Sequence, residues 1–285
     1  MKSPREKNIL VLVSKNSVDI RLNRYNTMFL HNMRTDFYIL SENSEIYPFN
    51  QENFTTALEM ELKDIEIKVI LTKDLSVDDL GKIHQLFDQS YDQANYLYLE
   101  KSFARLRYIS LAIFKDELVG FGVADAVETK LPRLTELQVV LMGGICCVAS
   151  DYRRLGLFKH LQDIAFRHSD QMKPAARYLA CGRMAHPASF RSISRTSAVI
   201  PKFGVPLSDW QKEISYKVAE LYGVNLGPDS LVVVGDGSPC GHPKVKSEVP
   251  EEEWLPFKAV NRDRGDSLLG ITWLPDAPAG WQETE

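Results

Sequence analysis

The sequence predicts an α/β domain in which a mixed, centrally antiparallel sheet is flanked by helices, with additions at both ends. Three observations carry this. Tyr108–Phe114, Glu117–Ala126 and Thr135–Val148 are consecutive apolar or alternating runs that read as an antiparallel meander. Residues 75–90 and 208–222 repeat apolar side chains at helical spacing. Between them, Ile145–Leu161 (ICCVASDYRRLGLFKHL) is an apolar run that breaks at a polar turn and restarts as a helix around Gly156, followed by one more strand at 177–183. Strict alternation of strand and helix is missing, as are GxGxxG and GxxxxGK, so the pattern is not that of a doubly wound dinucleotide fold.

Taken in order, residues 1–64 form an N-terminal extension or small subdomain, with strands expected at 8–13 and 34–40 and a polar, turn-rich stretch at 41–53. Residues 65–285 are the main domain, with a core of about 65–204 and additions over 205–285. Ile65–Leu71 alternates at period two and enters the sheet. Leu75–Ser90 carries Leu80, Ile83, Leu86 and Phe87 on one face, with Ser76 as N-cap and Asp78 and Asp79 in its first turn. A second helix within 91–106 aligns Tyr96, Leu99, Phe103 and Leu106. Lys115-Asp116 joins the first two meander strands as a tight hairpin. Gly143-Gly144 marks a bulge or bend in the third. A short helix at 187–197 begins with proline and ends before Pro201. The helix at 208–222 buries Ile214, Val218 and Leu221, is capped by Ser208 or Asp209, and stops at Gly223. Strands at 231–234 and 265–275 flank an irregular loop at 235–250, in which Gly235–Gly241 reads as a plain turn.

Composition narrows the classes. The chain has 285 residues, 44% of them hydrophobic, enough to bury a sizeable core as one large domain or two small ones. Its 34 Lys+Arg against 38 Asp+Glu favour no polyanionic partner, and no local basic stripe points to nucleic acid. The N-terminal ILVLV is too short for a signal-peptide core or a membrane span, so a cytoplasmic protein with no membrane partner is expected. Cys146, Cys147, Cys181 and Cys240 show no CxxC spacing, which suits a reducing compartment. Cys181 with His186 and Cys240 with His242 are too scattered for a structural metal, so no metal is expected.

The turn after Val148 is where chemistry enters. The first N–H groups of a helix lack intrahelical acceptors and sit at the positive end of its dipole, so a tight glycine turn opening a helix attracts phosphate. Arg153, Arg154 and Lys159 add local positive charge to an acidic chain. The run Val148-Ala-Ser-Asp-Tyr-Arg153-Arg-Leu-Gly156-Leu-Phe158 resembles motif A of the GNAT family of acyl-CoA-dependent N-acyltransferases, and the elements from about Ile65 to Phe203 fall in that family's order. The resemblance covers roughly half the chain and implies a GNAT-like sheet. It also implies acetyl-CoA or another acyl-CoA as co-substrate. By the same resemblance the amides of Arg154, Leu155, Gly156, Leu157 and Phe158 hold the pyrophosphate, with the Arg153 side chain beside it and Cys147-Val148 pairing with the pantetheine arm. Phe158 stands where the family has Gly or Ala, so its ring is expected to turn into the helix's buried face.

Amine acylation from a thioester needs a base, an oxyanion donor and an acid. The family's carboxylate on this strand is missing from Val139–Val148, and its tyrosine acid is missing from 184–204. Glu136 lies upstream, and His186 and Ser194, with Ser192 and Ser197, are what the later region offers; Glu136, His186 and Ser194 are the catalytic candidates. Neighbouring Cys146 and Cys147 invite a covalent acyl-enzyme, but strand alternation lets at most one face a cleft, and buried free cysteine is usually a small core residue. The expectation is acyl transfer to an amine, of a small molecule in preference to a protein. The appended segments serve equally to wall a pocket or to form a homodimer. The competing readings are a catalytically degenerate CoA-binding or interaction module, and another acyl-CoA chemistry such as decarboxylation or O- or S-acyl transfer.

Overall fold

The computed structural model describes the strands at 9–14, 17–20, 37–40 and 46–48, and residues 64–153, 155–173, 176–239, 241–244 and 249–282. The chain divides into two compact units, Met1–Ile65 and Glu66–Glu285. In the first, β1 (Ile9–Ser14), β2 (Ser17–Ile20), β3 (Phe37–Leu40) and β4 (Ile46–Pro48) form an antiparallel sheet of order β2-β1-β3-β4. The expected strands at 8–13 and 34–40 are β1 and β3, and the stretch read as turn-rich contains β4.

The second unit opens with β5 (Glu66–Leu71) and α1 (Val77–Ser90). Ser76 caps α1 in a full capping box with Asp79, and this hydroxyl is the main reason the Asp79 carboxyl sits below its usual range. The short β6 (Tyr91–Asp92) leads to α2 (Tyr96–Arg105), whose N-cap is Asn95. The meander follows as β7 (Tyr108–Phe114), β8 (Glu117–Lys130) and β9 (Leu137–Val148). Lys115 and Asp116 both take positive φ, the twist that a two-residue hairpin needs. Strand β8 runs past the expected end at Ala126, because β9 continues to pair with it from Val140 to Leu137.

A turn then leads into α3 (Leu157–His168), and β10 (Tyr178–Met184), α4 (Pro187–Ser194) and α5 (Asp209–Tyr222) succeed it. The chain closes with β11 (Val232–Val233), β12 (His242–Pro243), the single-turn α6 (Glu251–Trp254) and β13 (Ser267–Leu274). Seven strands make one sheet of order β11-β13-β10-β9-β8-β7-β5, and within it only β9 and β10 run parallel.

Helix α3 covers one face, where Ala165 and Phe166 pack on the small residues Ala124, Ala126 and Ala180. Helices α1, α2, α4 and α5 cover the other, over a larger core that includes Phe87, Leu99, Phe121, Ile214 and Trp273. Each such fully buried side chain contributes about 1.5–3 kcal/mol. In α5 the buried stripe is Ile214, Val218 and Tyr222; Leu221, expected inside, is half-buried. The last turn rotates Tyr222 under the sheet because Gly223 takes the left-handed conformation and Arg105 bonds the carbonyls of Glu220 and Leu221. Among the described residues no helix is long and apolar enough to cross a membrane.

Candidate functional site

The site begins where two parallel strands part. β9 and β10 pair from Val139 opposite Tyr178 to Gly143 opposite Gly182. Beyond that point β10 stays with β13 and β9 stays with β8, so Gly144–Val148 has no strand partner on its β10 side. The cause is a bulge. Gly122 faces Cys146 and Ala124 faces Gly143, which leaves two residues of β9, Gly144 and Ile145, opposite Val123. A Cβ on Gly144 would meet Leu106 Cδ1 at 2.6 Å and Ser102 Oγ at 2.9 Å, so the bulge can press against α2 only as glycine. The bulge or bend expected at Gly143-Gly144 is a bulge, formed by Gly144 and Ile145.

The opened strand ends at a turn that starts a helix with no side-chain cap. Gly156, at φ +79°, starts α3 with no side-chain cap. The first intrahelical bond is from His160 N–H to the Gly156 carbonyl, so the amides of Leu157, Phe158 and Lys159 have no acceptor within the helix. Among the described residues nothing stands within 4 Å of where a Gly156 side chain would begin. An extended chain of amides lying along Gly144–Val148 would find backbone partners there, and a phosphate beyond it would find those N–H groups.

The turn is braced by Arg153. Its Nε donates to the Val148 carbonyl at 2.8 Å, and Nη1 donates to the Lys244 carbonyl at 2.6 Å. Lys244 in turn bonds the carbonyls of Ser90 and Asp88 at the end of α1. The chain from Gly235 to Lys244, which takes in the expected turn at Gly235–Gly241, is a strap held by Gly235 N–H on the buried Asp266 carboxylate, Lys101 on Asp236, Asn95 Nδ2 on the Pro239 carbonyl, and β12 on β6. Arg264, with the N–H groups of Gly235 and Asn261, holds the Asp266 carboxyl below the usual range.

The other expected residues are placed as follows. Leu155 and Leu157 are buried and hold the turn to the core, while Cys147 and Val148 lie buried in the opened segment of β9. Arg154 lies outside the described residues. Phe158 is half-buried beside the stripe of Leu157, Leu161 and Ala165, not within it, because the α3 face is already filled by residues at four-residue spacing. Glu136 is exposed at the far end of β9 from the bulge, and Ser194 is half-buried at the last turn of α4. His186 is buried, with Nδ1 accepting the Ala188 N–H as N-cap of α4 and its ring edge-on to Trp254. Among the described residues three cysteines are kept as thiols: burial pushes Cys181 up to about 12 and raises both Cys146 and Cys147.

Residues that sequence reading passed over gather at the apex of the opening. The Tyr222 hydroxyl reaches the carbonyls of Gly143 (2.8 Å) and Cys181 (3.1 Å), one from each parting strand. Burial first, then Cys181, pushes its pKa well up, so the hydroxyl stays protonated throughout the neutral range. Tyr98 and Ser102 are one turn apart on α2, with Ser102 over the bulge and Tyr98 stacked on Arg183, the first residue of β10 past the apex. The only signal for Tyr222 was its place in a helical stripe, which fits packing as well as chemistry.

Strand order, bulge, opening and turn together are the GNAT-like fold that the motif resembles. No family model and no curated protein matches the chain. Solved structures matched by shape include Escherichia coli ElaA, 17% identical over 51% of this chain and 93% of that one, with a TM-score of 0.29. An aminoglycoside acetyltransferase from an uncultured soil metagenomic sample, in complex with sisomicin, is 13% identical over 50% and 93%, at 0.34. The ribosomal-protein-S18-alanine N-acetyltransferase of Escherichia coli is 10% identical over 75% and 98%, at 0.33. At these identities and scores the likenesses carry no argument about activity.

Proposed function

We propose that residues 66–285 form an acyltransferase that moves an acetyl or other acyl group from acyl-CoA to the amine of a small molecule. The observation that carries this is the continuity of the opened edge of β9 with an uncapped helix N-terminus. One strip of backbone offers partners to an amide chain and then N–H donors to a phosphate. The pantetheine arm runs along Gly144–Val148, the pyrophosphate sits on the amides from Gly156 to Lys159, and Arg153 keeps the turn in shape by spanning Val148 and Lys244.

The thioester then lies at the bulge, where backbone N–H groups freed from the β8 ladder can take the oxyanion. The amine nitrogen attacks the carbonyl carbon, the C–S bond breaks, and Tyr222 supplies the proton that the departing thiolate takes up. The proton lost by the amine passes through water to the Tyr222 oxygen and restores the hydroxyl, since β9 carries no carboxylate. With the Cys146 and Cys147 thiols held protonated, direct transfer is the route proposed.

Calorimetry with acetyl-CoA, paired with thiol release over an amine panel, tests this. Binding together with turnover supports it. No binding at sub-millimolar concentration overturns the site, and binding without turnover of any amine favours the CoA-binding module that the carboxylate-free strand also fits.

A further inference from the structure

We infer that the acceptor carries a carboxylate close to its amine, and that Arg183 is the residue that recognises it. This rests on the acyltransferase reading and names its substrate class. Arg183 follows Gly182, the last residue of β10 to pair with β9, and shares the sheet face of Leu179 and Cys181, on which α2 and α5 pack. It is therefore on the wall facing the bulge, across the opening where the thioester would lie.

Its surroundings hold it in place without neutralising it. The guanidinium carbon sits 5.0 Å from the centre of the Tyr98 ring, and Nε makes one long bond, 3.3 Å, to Ser267 Oγ. Asn95 Oδ1 accepts the Tyr98 N–H, which fixes the ring it stacks on. Among the described residues no carboxylate pairs with Arg183. The contrast with its neighbours is direct: Arg107 is paired with Asp125, Arg191 with Glu253 and Arg264 with Asp266, while Arg105 and Arg153 are spent on carbonyls. A half-buried guanidinium has lost part of its hydration, which an anion offsets best, and its two terminal nitrogens form the planar fork that a carboxylate matches. A single such cation, with no lysine or helix N-terminus joined to it, suits one negative charge better than a phosphate dianion. Arg183 on β10 and Gly144 on β9 each lie one residue past the last pair, Gly182 with Gly143, which suits a nitrogen and a carboxylate only a few bonds apart, as in an amino acid.

The test uses acetyl-CoA with the common L-amino acids and their carboxamides as matched acceptors, following thiol release, alongside calorimetry of acetyl-CoA and of the same acceptors. The expected result is a preference for the acid over the amide of an accepted pair of on the order of 10- to 100-fold in kcat/KM. Arg183→Met should erase that preference through KM, Arg183→Lys should keep part of it, and Arg133→Gln, remote in the connection between β8 and β9, should leave it intact; all should bind acetyl-CoA like the parent. Equal use of acid and amide, a preference that survives Arg183→Met, or an equal loss on both acceptors overturns the inference. So does a preference that moves to the donor, with succinyl-CoA favoured over acetyl-CoA only while Arg183 is present. Acetyl-CoA binding with no acid of the panel bound or turned over overturns this inference and leaves the acyl-CoA site standing, whereas absent acetyl-CoA binding overturns that site first and this inference with it.

Discussion

Helices α3 and α5 begin in opposite ways. α5 is closed by Ser208 and Gln211, which satisfy each other's backbone N–H groups in a reciprocal box, and Gln211 reaches on to the Trp281 carbonyl. α3 starts at a left-handed glycine with no cap at all. α1, α2 and α4 are also capped, by Ser76, Asn95 and His186. A cap contributes about 1 kcal/mol, so the open N-terminus of α3 is stability left unrealised there. On the acyl-CoA reading proposed above, the same backbone feature serves stability at α5 and ligand binding at α3, and the cap is what differs between them.

Changes at the open end should therefore weaken binding, and changes at the closed end only folding. Arg153→Glu, the largest, should lower acetyl-CoA affinity by about 1–3 kcal/mol, because it breaks the brace from Val148 to Lys244 and sets a negative charge beside the turn. Unchanged affinity in calorimetry would remove the turn from the site. Gly156→Ala meets no neighbouring atom but forces a side chain to φ +79°, so strain of about 1–2 kcal/mol should appear as a lower melting temperature together with weaker acetyl-CoA binding. Ser208→Ala should cost about 1 kcal/mol of stability in denaturant unfolding and leave acetyl-CoA affinity unchanged; a matching loss of affinity would erase the contrast.

The smallest effect concerns the anchor of the strap. Asp266 has a native pKa depressed below its unfolded value by Arg264, so its stabilisation is fully present above about pH 4 and is lost as pH falls through the lower native value. Asp266→Asn should melt earlier than the parent near neutrality, and the gap should close in strong acid. A gap that stays constant with pH would mean that the carboxylate's charge plays no part in holding Gly235 and Asn261.

How much was legible follows from the range of the interactions. The Ser76 and Ser208 caps, the Lys115-Asp116 hairpin, the bulge at Gly143-Gly144 and the open turn at Gly156 are decided by residues within a few positions of one another, and period and cap chemistry expose them. The Phe158 ring could not be oriented, because its direction depends on how fully Leu157, Leu161 and Ala165 already fill the face beneath α3. The mouth of the site was hidden for the same kind of reason. Tyr98, Arg183 and Tyr222 come from three elements, and the strap that reaches Arg153 comes from a fourth.

The sequence by itself determined that a strand runs into an uncapped, glycine-opened helix and that this strand has no carboxylate, since both are statements about adjacent residues. The tertiary structure alone decided that β9 and β10 part after Gly143, that Arg153 is a brace across the turn, and that an arginine without a carboxylate partner among the described residues faces the opening. The physical reason is that strand pairing and charge pairing are long-range choices: which groups remain unsatisfied is known only once every other group has found its partner.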